Sequence, residues 1–332
     1  MGVDLKDIIN RNETDLANLK GKVISVDALN ALYQFLAIIR QRDGELLRDS
    51  SGRVTSHLSG LFYRTISLLE LGISPVYIFD GKPPKEKIDT LRHRQETKDT
   101  AKKKAIRAKV EGRESDYVKF SQQVLHFSGE MLFESKTLLD LMGIPYIDAP
   151  SEGEAQASHM CSVDPKIFAV ASQDYDSLLF GAPVLLRNVT ITGRRKLPGK
   201  NVYRDVVPET IVLSDALSEL GIDREQLVEI GILIGTDYND GVKGIGPKSA
   251  LDIVKKGGFD EYGIDDKIKK LFLEPDVTDD FSFKFRAPDE DGIYTFLSDE
   301  REFSRLRVER AMERLKKGLD SVTRQETLDQ WF

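Results

Sequence analysis

Short apolar runs that lead into an acid recur along the first half of the chain. Val23-Ile24-Ser25-Val26 ends at Asp27, and Val76-Tyr77-Ile78-Phe79 ends at Asp80. A third, Ile167-Phe168-Ala169-Val170-Ala171, leads through Ser172 and Gln173 to Asp174. Each run is rich in β-branched or aromatic residues and too short for a helix, which predicts strands buried on both faces. Helical periodicity fills the intervals at 28–40, 57–71 and 130–142. Strands alternating with helices predict an α/β fold, a mostly parallel central sheet flanked by helices. In such sheets the ligand crevice lies beyond the carboxyl ends of the strands, where the three aspartates stand. After Pro208 the pattern reads as wholly helical, through 211–220, 224–234 and 247–256. Residues 271–291 are acidic and irregular, and a last amphipathic helix near 301–317 precedes a polar tail. No internal repeat is present.

Composition narrows the class. The 332 residues, 40% apolar and 31% charged, suffice for one large or two modest globular domains. A single cysteine excludes a disulfide framework and any multi-cysteine zinc site. The four histidines, His57, His93, His126 and His159, lie scattered with no two at metal-ligand spacing. No apolar run reaches membrane-spanning length and no signal-like segment opens the chain, so an intracellular soluble protein is expected.

Charge is distributed unevenly. Between 82 and 109 eleven basic residues face four acids, a local balance of +7 inside a chain of net charge −7. The remainder therefore carries −14, a polarity that suits a basic element set against an acidic site. Pro83-Pro84 opens this stretch, and good helix formers with few apolar positions follow. A helix polar nearly all round does not bury itself, so a projecting insertion is predicted. A solvated charged helix without a task is the ordinary alternative.

Seven acids fall at element ends: Asp27, Asp80, Glu152, Glu154, Asp174, Asp176 and Asp237. Hard divalent cations such as Mg²⁺ take oxygen ligands, and two ions about 4 Å apart need several carboxylates. Gathering such like charges is costly unless cations neutralise them. Each acid alone also has a structural use. Asp27 suits the N-cap of a helix starting at Ala28, Ser151 and Glu154 fit a capping box, and the Asp174 and Asp237 segments fit turn chemistry. Together, at successive strand and helix ends, they favour metal.

Phe79-Asp80-Gly81-Lys82-Pro83-Pro84, Ala149-Pro150-Ser151-Glu152-Gly153-Glu154-Ala155, Ser172-Gln173-Asp174-Tyr175-Asp176 and Gly235-Thr236-Asp237-Tyr238 resemble the flap endonuclease family of archaeal and eukaryotic type. The likeness runs from Met1-Gly2 to Phe332. It implies a PIN-like 5′ nuclease fold with a helical arch over the active site and two magnesium ions, Mn²⁺ being able to substitute. By the same resemblance, residues 1–81 and 129–240 form the nuclease core and 82–128 the arch. Residues 241–318 would form a duplex-binding helical part, and 319–332 the tail. The seven acids take the place of the family's metal-binding carboxylates. Asp80, Glu152, Glu154 and Asp174 fall towards one ion, Asp176 and Asp237 towards the other, and Asp27 acts through bound water. The family often has Glu-Ala-Glu where this chain has Glu152-Gly153-Glu154.

The chemistry so implied is activation of a water by one metal and stabilisation of the leaving 3′ oxygen by the other. Asp80 and Asp174 count with Lys87 and Arg94 as the catalytic set. Lys87 and Arg94 are seven apart, hence on one helix face, and the family places such a pair over the scissile phosphate. DNA contacts are implied for Gly2, Tyr33, Arg40, Arg64, Glu152, Gly235 and Asp237, although Tyr33 equally suits a core aromatic. The decapeptide Gly241–Ala250 is a glycine-rich turn opening a helix, suited to backbone phosphate contacts through Gly244, Gly246 and Lys248. It resembles the family's helix–hairpin–helix type element, often beside a K⁺ ion. Gln325, Leu328, Trp331 and Phe332 form a Gln-x-x-Leu-x-x-aromatic-aromatic pattern. It resembles a peptide that binds the sliding clamp PCNA.

The resulting expectation is a structure-specific 5′ flap endonuclease, with 5′–3′ exonuclease action, that works in Okazaki fragment processing and repair. Its partners would be branched DNA and the clamp, with no membrane contact and a monomer alone. Its location would be the nucleoid-bearing cytoplasm if archaeal and the nucleus if eukaryotic. A non-catalytic branched-DNA and clamp adaptor of the same fold is the alternative; it predicts losses among the acids, and none is seen. An acid-cluster phosphatase ranks last, because Asp174-Tyr175-Asp176 lacks a following Thr and the basic insertion would be idle.

Overall fold

The computed structural model describes residues 2–329 apart from 42, 88–99, 101–102, 105, 109, 114–115, 117–126, 192 and 197–202. At its centre lie three continuous apolar strands, β2 (Val23–Asp27), β3 (Ser74–Phe79) and β5 (Ile167–Ala171). They pair in parallel, with Val26 beside Tyr77 on one side and Ala171 on the other. Beyond β3 stands β4 (Tyr146–Asp148), and beyond β5 stand β6 (Val184–Arg187), β9 (Glu209–Val212) and β1 (Asn12–Glu13). The last two joins, β6 to β9 and β9 to β1, are antiparallel. A separate hairpin is made by β7 (Gly193–Lys196) and β8 (Tyr203–Val206).

Both faces of the sheet are covered, as its uninterrupted apolar strands require. On one face the Tyr77 hydroxyl meets Thr65 of α2 (Ser56–Glu70) at 2.8 Å. On the other, Ser25 of the neighbouring register position donates to the Ala157 carbonyl of α4 (Gly153–Val163) at 3.3 Å. The chain leaves β2 into α1 (Ala28–Ile38) and returns from α3 (Gly129–Met142) to β4. Gly143 ends α3 in the left-handed conformation, φ 71°. A Cβ there would lie 2.1 Å from the Arg286 carbonyl oxygen, so glycine is required twice over.

Beyond Pro208 the chain is not wholly helical. Residues Glu209–Val212, three of them β-branched, complete the sheet between β6 and β1 before α6 (Leu213–Leu220) starts, the next helix after the short α5 (Asp176–Leu179). The expectation missed this strand because Ile211 and Val212 also continue the apolar face of the helix that follows. Next come α7 (Arg224–Ile234), α8 (Pro247–Lys255) and α9 (Asp266–Leu273). The acidic segment that follows is irregular yet tied down. Gln156 of α4 donates to the Thr278 carbonyl at 2.9 Å and accepts from the Thr278 N–H at 2.8 Å. Phe285 is buried beneath it.

The last helix, α11 (Arg305–Asp329), follows α10 (Glu290–Ile293) and runs well past the expected end at 317. Val308, Ala311, Met312, Leu315, Leu319 and Val322 form its buried stripe, which packs on α2. Gln325 and Leu328 therefore belong to a helix instead of a polar tail, while Trp331 and Phe332 lie outside the described residues. Among the described residues no helix is long and apolar enough to cross a membrane.

A buried ion cluster joins the C-terminal part to α2 and α3. Glu134 accepts from His57 Nε2 at 3.1 Å and from Arg301 Nε at 2.8 Å, and all three residues are buried. Burial opposes the charge on Glu134, but His57 and Arg301 outweigh it and hold the carboxyl below its ordinary pKa. The Glu134 contribution is thus present above the unfolded carboxylate pKa and is lost as pH falls through the lowered folded value. Glu134→Gln is expected to cost about 3–5 kcal/mol at neutral pH, because Arg301 stays buried without its carboxylate. Urea unfolding of both forms between pH 7 and pH 3 checks this: the gap should narrow with acid, and a pH-independent gap contradicts it.

Candidate active site

The strand ends deliver acids to one cleft. Asp27 closes β2, Asp80 follows β3, Glu152 and Glu154 open α4 after β4, and Asp174 and Asp176 follow β5. This is the switch point of the sheet, where the chain runs outward from β2 to β3 and β4 and then returns to β5 on the other side. Asp237 reaches the cleft from the turn after α7, whose C-cap Gly235 has φ 113°. A Cβ on Gly235 would lie 3.0 Å from the Asp240 carbonyl oxygen.

Two groups of side chains make up the cleft. In the inner one the Ser172 hydroxyl donates to Glu154 Oε1 at 2.6 Å, and Ser177 donates to the same oxygen at 3.1 Å. Ser172 also stands 3.4 Å from Asp27 Oδ2. Asp27 accepts the Asn30 N–H at 3.0 Å, so it caps α1 as well as facing the cleft. Asp176 accepts the Val3 N–H at 2.7 Å, which lays the N-terminal segment against the acids. Gly2 fits there because a Cβ would meet Asp174 Cβ and Asp176 Oδ1, each at 2.9 Å.

In the outer group Lys87 donates to Glu152 Oε2 at 2.5 Å and lies 3.6 Å from Asp237. Asp80 accepts the Gly153 N–H at 2.7 Å. Gly153 is a close-approach position, since a Cβ would stand 2.7 Å from Asp80 Oδ1. The capping box expected at Ser151 does not form. Glu152 is the N-cap of α4 and makes no side-chain cap bond, and Glu154 is turned to Ser172 and Ser177 instead.

Burial first, and then the crowding of like charge, moves these groups together. Burial raises Asp27 to about 8, with Asp80 and Asp174 adding repulsion. Burial likewise raises Asp176 to about 7, reinforced by Asp237. Glu154 is pushed well above the ordinary carboxylate value by burial and then by Asp27, Asp174 and Asp176. Glu152 also moves up through burial, although Lys87 opposes it. Asp80 is open to solvent at the cleft mouth, yet the surrounding walls reduce its hydration and raise it, against the pull of Lys87. Burial disfavours the charge on Lys87, but Glu152, Asp237 and Asp80 outweigh it and raise its pKa.

All seven acids thus act on one another or on a shared neighbour, and among the described residues Lys87 is a cation bonded to them. The oxygen donors, with no histidine or cysteine bonded to them among the described residues, and the surplus of negative charge fit hard divalent cations. Among the described residues no three of the acids already converge as a finished ligand set. Their oxygens are turned to Ser172, Ser177, Asn30, Gly153, Val3 and Lys87.

The other expected positions lie on further elements of the fold. Tyr33, on α1, packs against Phe127 with ring centroids 5.9 Å apart. Arg40 donates to the Leu36, Ala37 and Gly44 carbonyls, which ties its guanidinium to the loop after α1. Arg64 is half-buried on α2. Gly244 stands exposed with φ 89° and open space where a Cβ would be, Gly246 is the N-cap of α8, and Lys248 is exposed. Arg94 lies outside the described residues. Reading the sequence singled out neither Asn30 nor Ser177. Each side chain bonds an acid far away in the sequence, Asn30 to Asp174 and Ser177 to Glu154, so local spacing gave no signal for either.

Comparison with known proteins follows the same outline. Residues 1–101 match the XPG N-terminal domain and residues 143–237 the XPG I-region. The chain is 54% identical over 340 residues to flap endonuclease 1 of Thermococcus onnurineus, covering 100% of this chain and 99% of the relative. It is 50% identical over 341 residues to flap endonuclease 1 of Methanosarcina barkeri, covering 100% of each. Among solved structures, flap endonuclease-1 from Methanococcus jannaschii aligns with a TM-score of 0.78 at 41% identity, covering 96% of this chain and 99% of that one. The catalytic core of Rad2 in complex with DNA substrate aligns at 0.69 and 25% identity, over 95% and 100%. With such likeness along its whole length and an acid cleft at the sheet's switch point, the chain belongs to the flap endonuclease family.

Proposed function

We propose that this protein is a structure-specific 5′ flap endonuclease, with 5′–3′ exonuclease action, that hydrolyses phosphodiesters at branched DNA in replication and repair. The observation that carries this is the cleft of seven carboxylates with Lys87 at its mouth, in a chain of this family. Asp80, Glu152, Glu154 and Asp174 would hold one magnesium ion, Asp176 and Asp237 a second, with Asp27 behind them. When bound, the pair neutralises the cleft, acidifies a water for attack and stabilises the leaving oxygen.

The chain's own residues do the rest. Lys87, held by Glu152 and Asp237, is placed to exchange a carboxylate for a phosphate oxygen as the scissile group enters. Ser172 and Ser177 keep Glu154 oriented, and the Gly153 N–H fixes one Asp80 oxygen, with no hydrogen bond to the other among the described residues. Tyr33 and Phe127 offer an aromatic wall to a nucleotide near the cleft. The open Gly244 turn and the N-terminus of α8 present backbone amides to duplex phosphates, with K⁺ as a candidate companion. Such contacts position the duplex without reading its sequence, so specificity comes from branch shape. Products carry a 5′-phosphate and a 3′-hydroxyl. The pattern at Gln325, Leu328, Trp331 and Phe332 would bind the sliding clamp, in the nucleoid or nucleus where replication occurs.

Asp27→Asn keeps an N-cap while removing one repelling charge. It is expected to stabilise the protein in chelator by about 1–2 kcal/mol, as relief of a strained functional site does, and to reduce the further stabilisation by Mg²⁺. Melting curves with and without Mg²⁺ check this; an unchanged or lowered melting point in chelator contradicts it. Asp174→Ala should abolish cleavage of a 5′-flapped duplex in Mg²⁺ and leave DNA affinity within a few-fold of wild type. Retained turnover on that substrate would remove Asp174 from the metal set. Deleting 325–332 should spare basal cleavage and abolish its stimulation by the clamp; undiminished stimulation would defeat the tail assignment.

A further inference from the structure

Asn30 sits between two of the acids and bonds to both. Its backbone N–H donates to Asp27 Oδ1 at 3.0 Å, and its side-chain Nδ2 donates to Asp174 Oδ2 at 3.1 Å. Among the described residues, no other side chain is found donating to the Asp174 carboxylate. The Asn30 amide cannot turn round freely. Its oxygen accepts from Gln34 Nε2 and lies 3.4 Å from the Gln173 N–H. Reversal would set oxygen against the Asp174 carboxylate and nitrogen against two N–H donors, losing every bond at once.

Gln34 lies one helical turn further along α1, on the same face. Its own amide is oriented from behind, because Thr190 Oγ1 donates to Gln34 Oε1 at 3.3 Å. Thr190 belongs to the tight turn Val189–Ile191 that leads towards the β7–β8 hairpin. A directed line of donors thus runs from Thr190 to Gln34 to Asn30 and ends on Asp174. Every member is buried or half-buried, where an unmet partner costs most. Asp174 is also the acid whose charge is felt by Asp27, Glu154 and Asp176 alike. Its orientation therefore matters to the whole inner group.

We propose that Asn30, oriented by Gln34 and Thr190, is a positioning residue that holds the Asp174 carboxylate in the direction needed to bind a divalent cation. This rests on the metal reading above. Partners one step behind a ligand fix its direction and commonly set metal affinity by 10- to 100-fold. The effect should fall on cation affinity and leave both the fold and the grip on DNA intact. Loss of Gln34 should act in the same direction but less, since Asn30 would keep its bond to Asp174 while losing the group that orients it.

The test uses the full chain without DNA, titrated with Mn²⁺ and followed by electron paramagnetic resonance of the free ion. Wild type, Asn30→Ala and Gln34→Leu are compared, with melting in chelator and branched-DNA affinity in chelator as controls. Asn30→Ala should weaken Mn²⁺ binding about 10- to 100-fold, and Gln34→Leu by less. Both variants should keep DNA affinity and still melt cooperatively in chelator, lowered by about a few degrees where a buried partner is left unmet. The Mg²⁺ concentration for half-maximal cleavage should rise in parallel, with the plateau rate recovered at high Mg²⁺. If Asn30→Ala fails to fold, Gln34→Leu carries the comparison. Wild-type Mn²⁺ affinity in a folded Asn30→Ala, or in Gln34→Leu where that variant stands in, overturns the assignment. A wild-type protein that binds no Mn²⁺ at all would instead sink the metal reading beneath it.

Discussion

Mutual repulsion of carboxylates in a half-buried cleft is the constraint on which the rest of this molecule depends. Seven acids that act on one another would separate if the backbone allowed it. The sheet does not allow it. β2, β3 and β5 are locked in parallel register by continuous apolar runs, and their carboxyl ends come out side by side whatever residues follow them. The electrostatic cost is thus met by the packing of Val26, Tyr77, Val170 and their neighbours, a purely apolar framework that contributes nothing to the chemistry itself. Raised pKa values at Asp27, Glu154 and Asp176, caused first by burial and then by the neighbouring acids, go with that tension. Bound protons or bound cations would each relieve it.

Much of this was legible in the sequence, for a physical reason. A strand buried on both faces must be apolar throughout, so an acid at its end stands out, and Asp27, Asp80 and Asp174 could be placed before any coordinates. Glu152, Glu154, Asp176 and Asp237 were legible only as members of a set, because each is also good turn or cap chemistry. Asp27 turned out to serve both uses at once. The Ser151 box failed because Glu154 had two hydroxyls within reach in the folded protein and only one backbone N–H in the local one.

What stayed hidden was whatever depends on partners distant in the chain. Glu209–Val212 reads as the opening of a helix until β6 and β1 are there to pair with it. Gly153 stands between two acids in the sequence, and its backbone N–H is what the distant Asp80 carboxylate bonds to. Arg40, expected near the duplex, also ties the loop after α1 through its guanidinium, a use the sequence does not show. Residues around Thr278 lack any periodicity because one side chain, Gln156, mimics a strand partner and satisfies both backbone groups there.

The packing of α11 on α2 has a temporal consequence. Gly318 lets the two helices approach until a Cβ would be 2.7 Å from Leu69, and Arg314 pairs with Glu70 at the rim. Glu70 and Arg314 stand 244 residues apart in the sequence, so α2 is synthesised long before α11 and its apolar face at Leu69 stays uncovered while the whole nuclease core is made. A contact closed over so long a loop belongs to the slow part of folding.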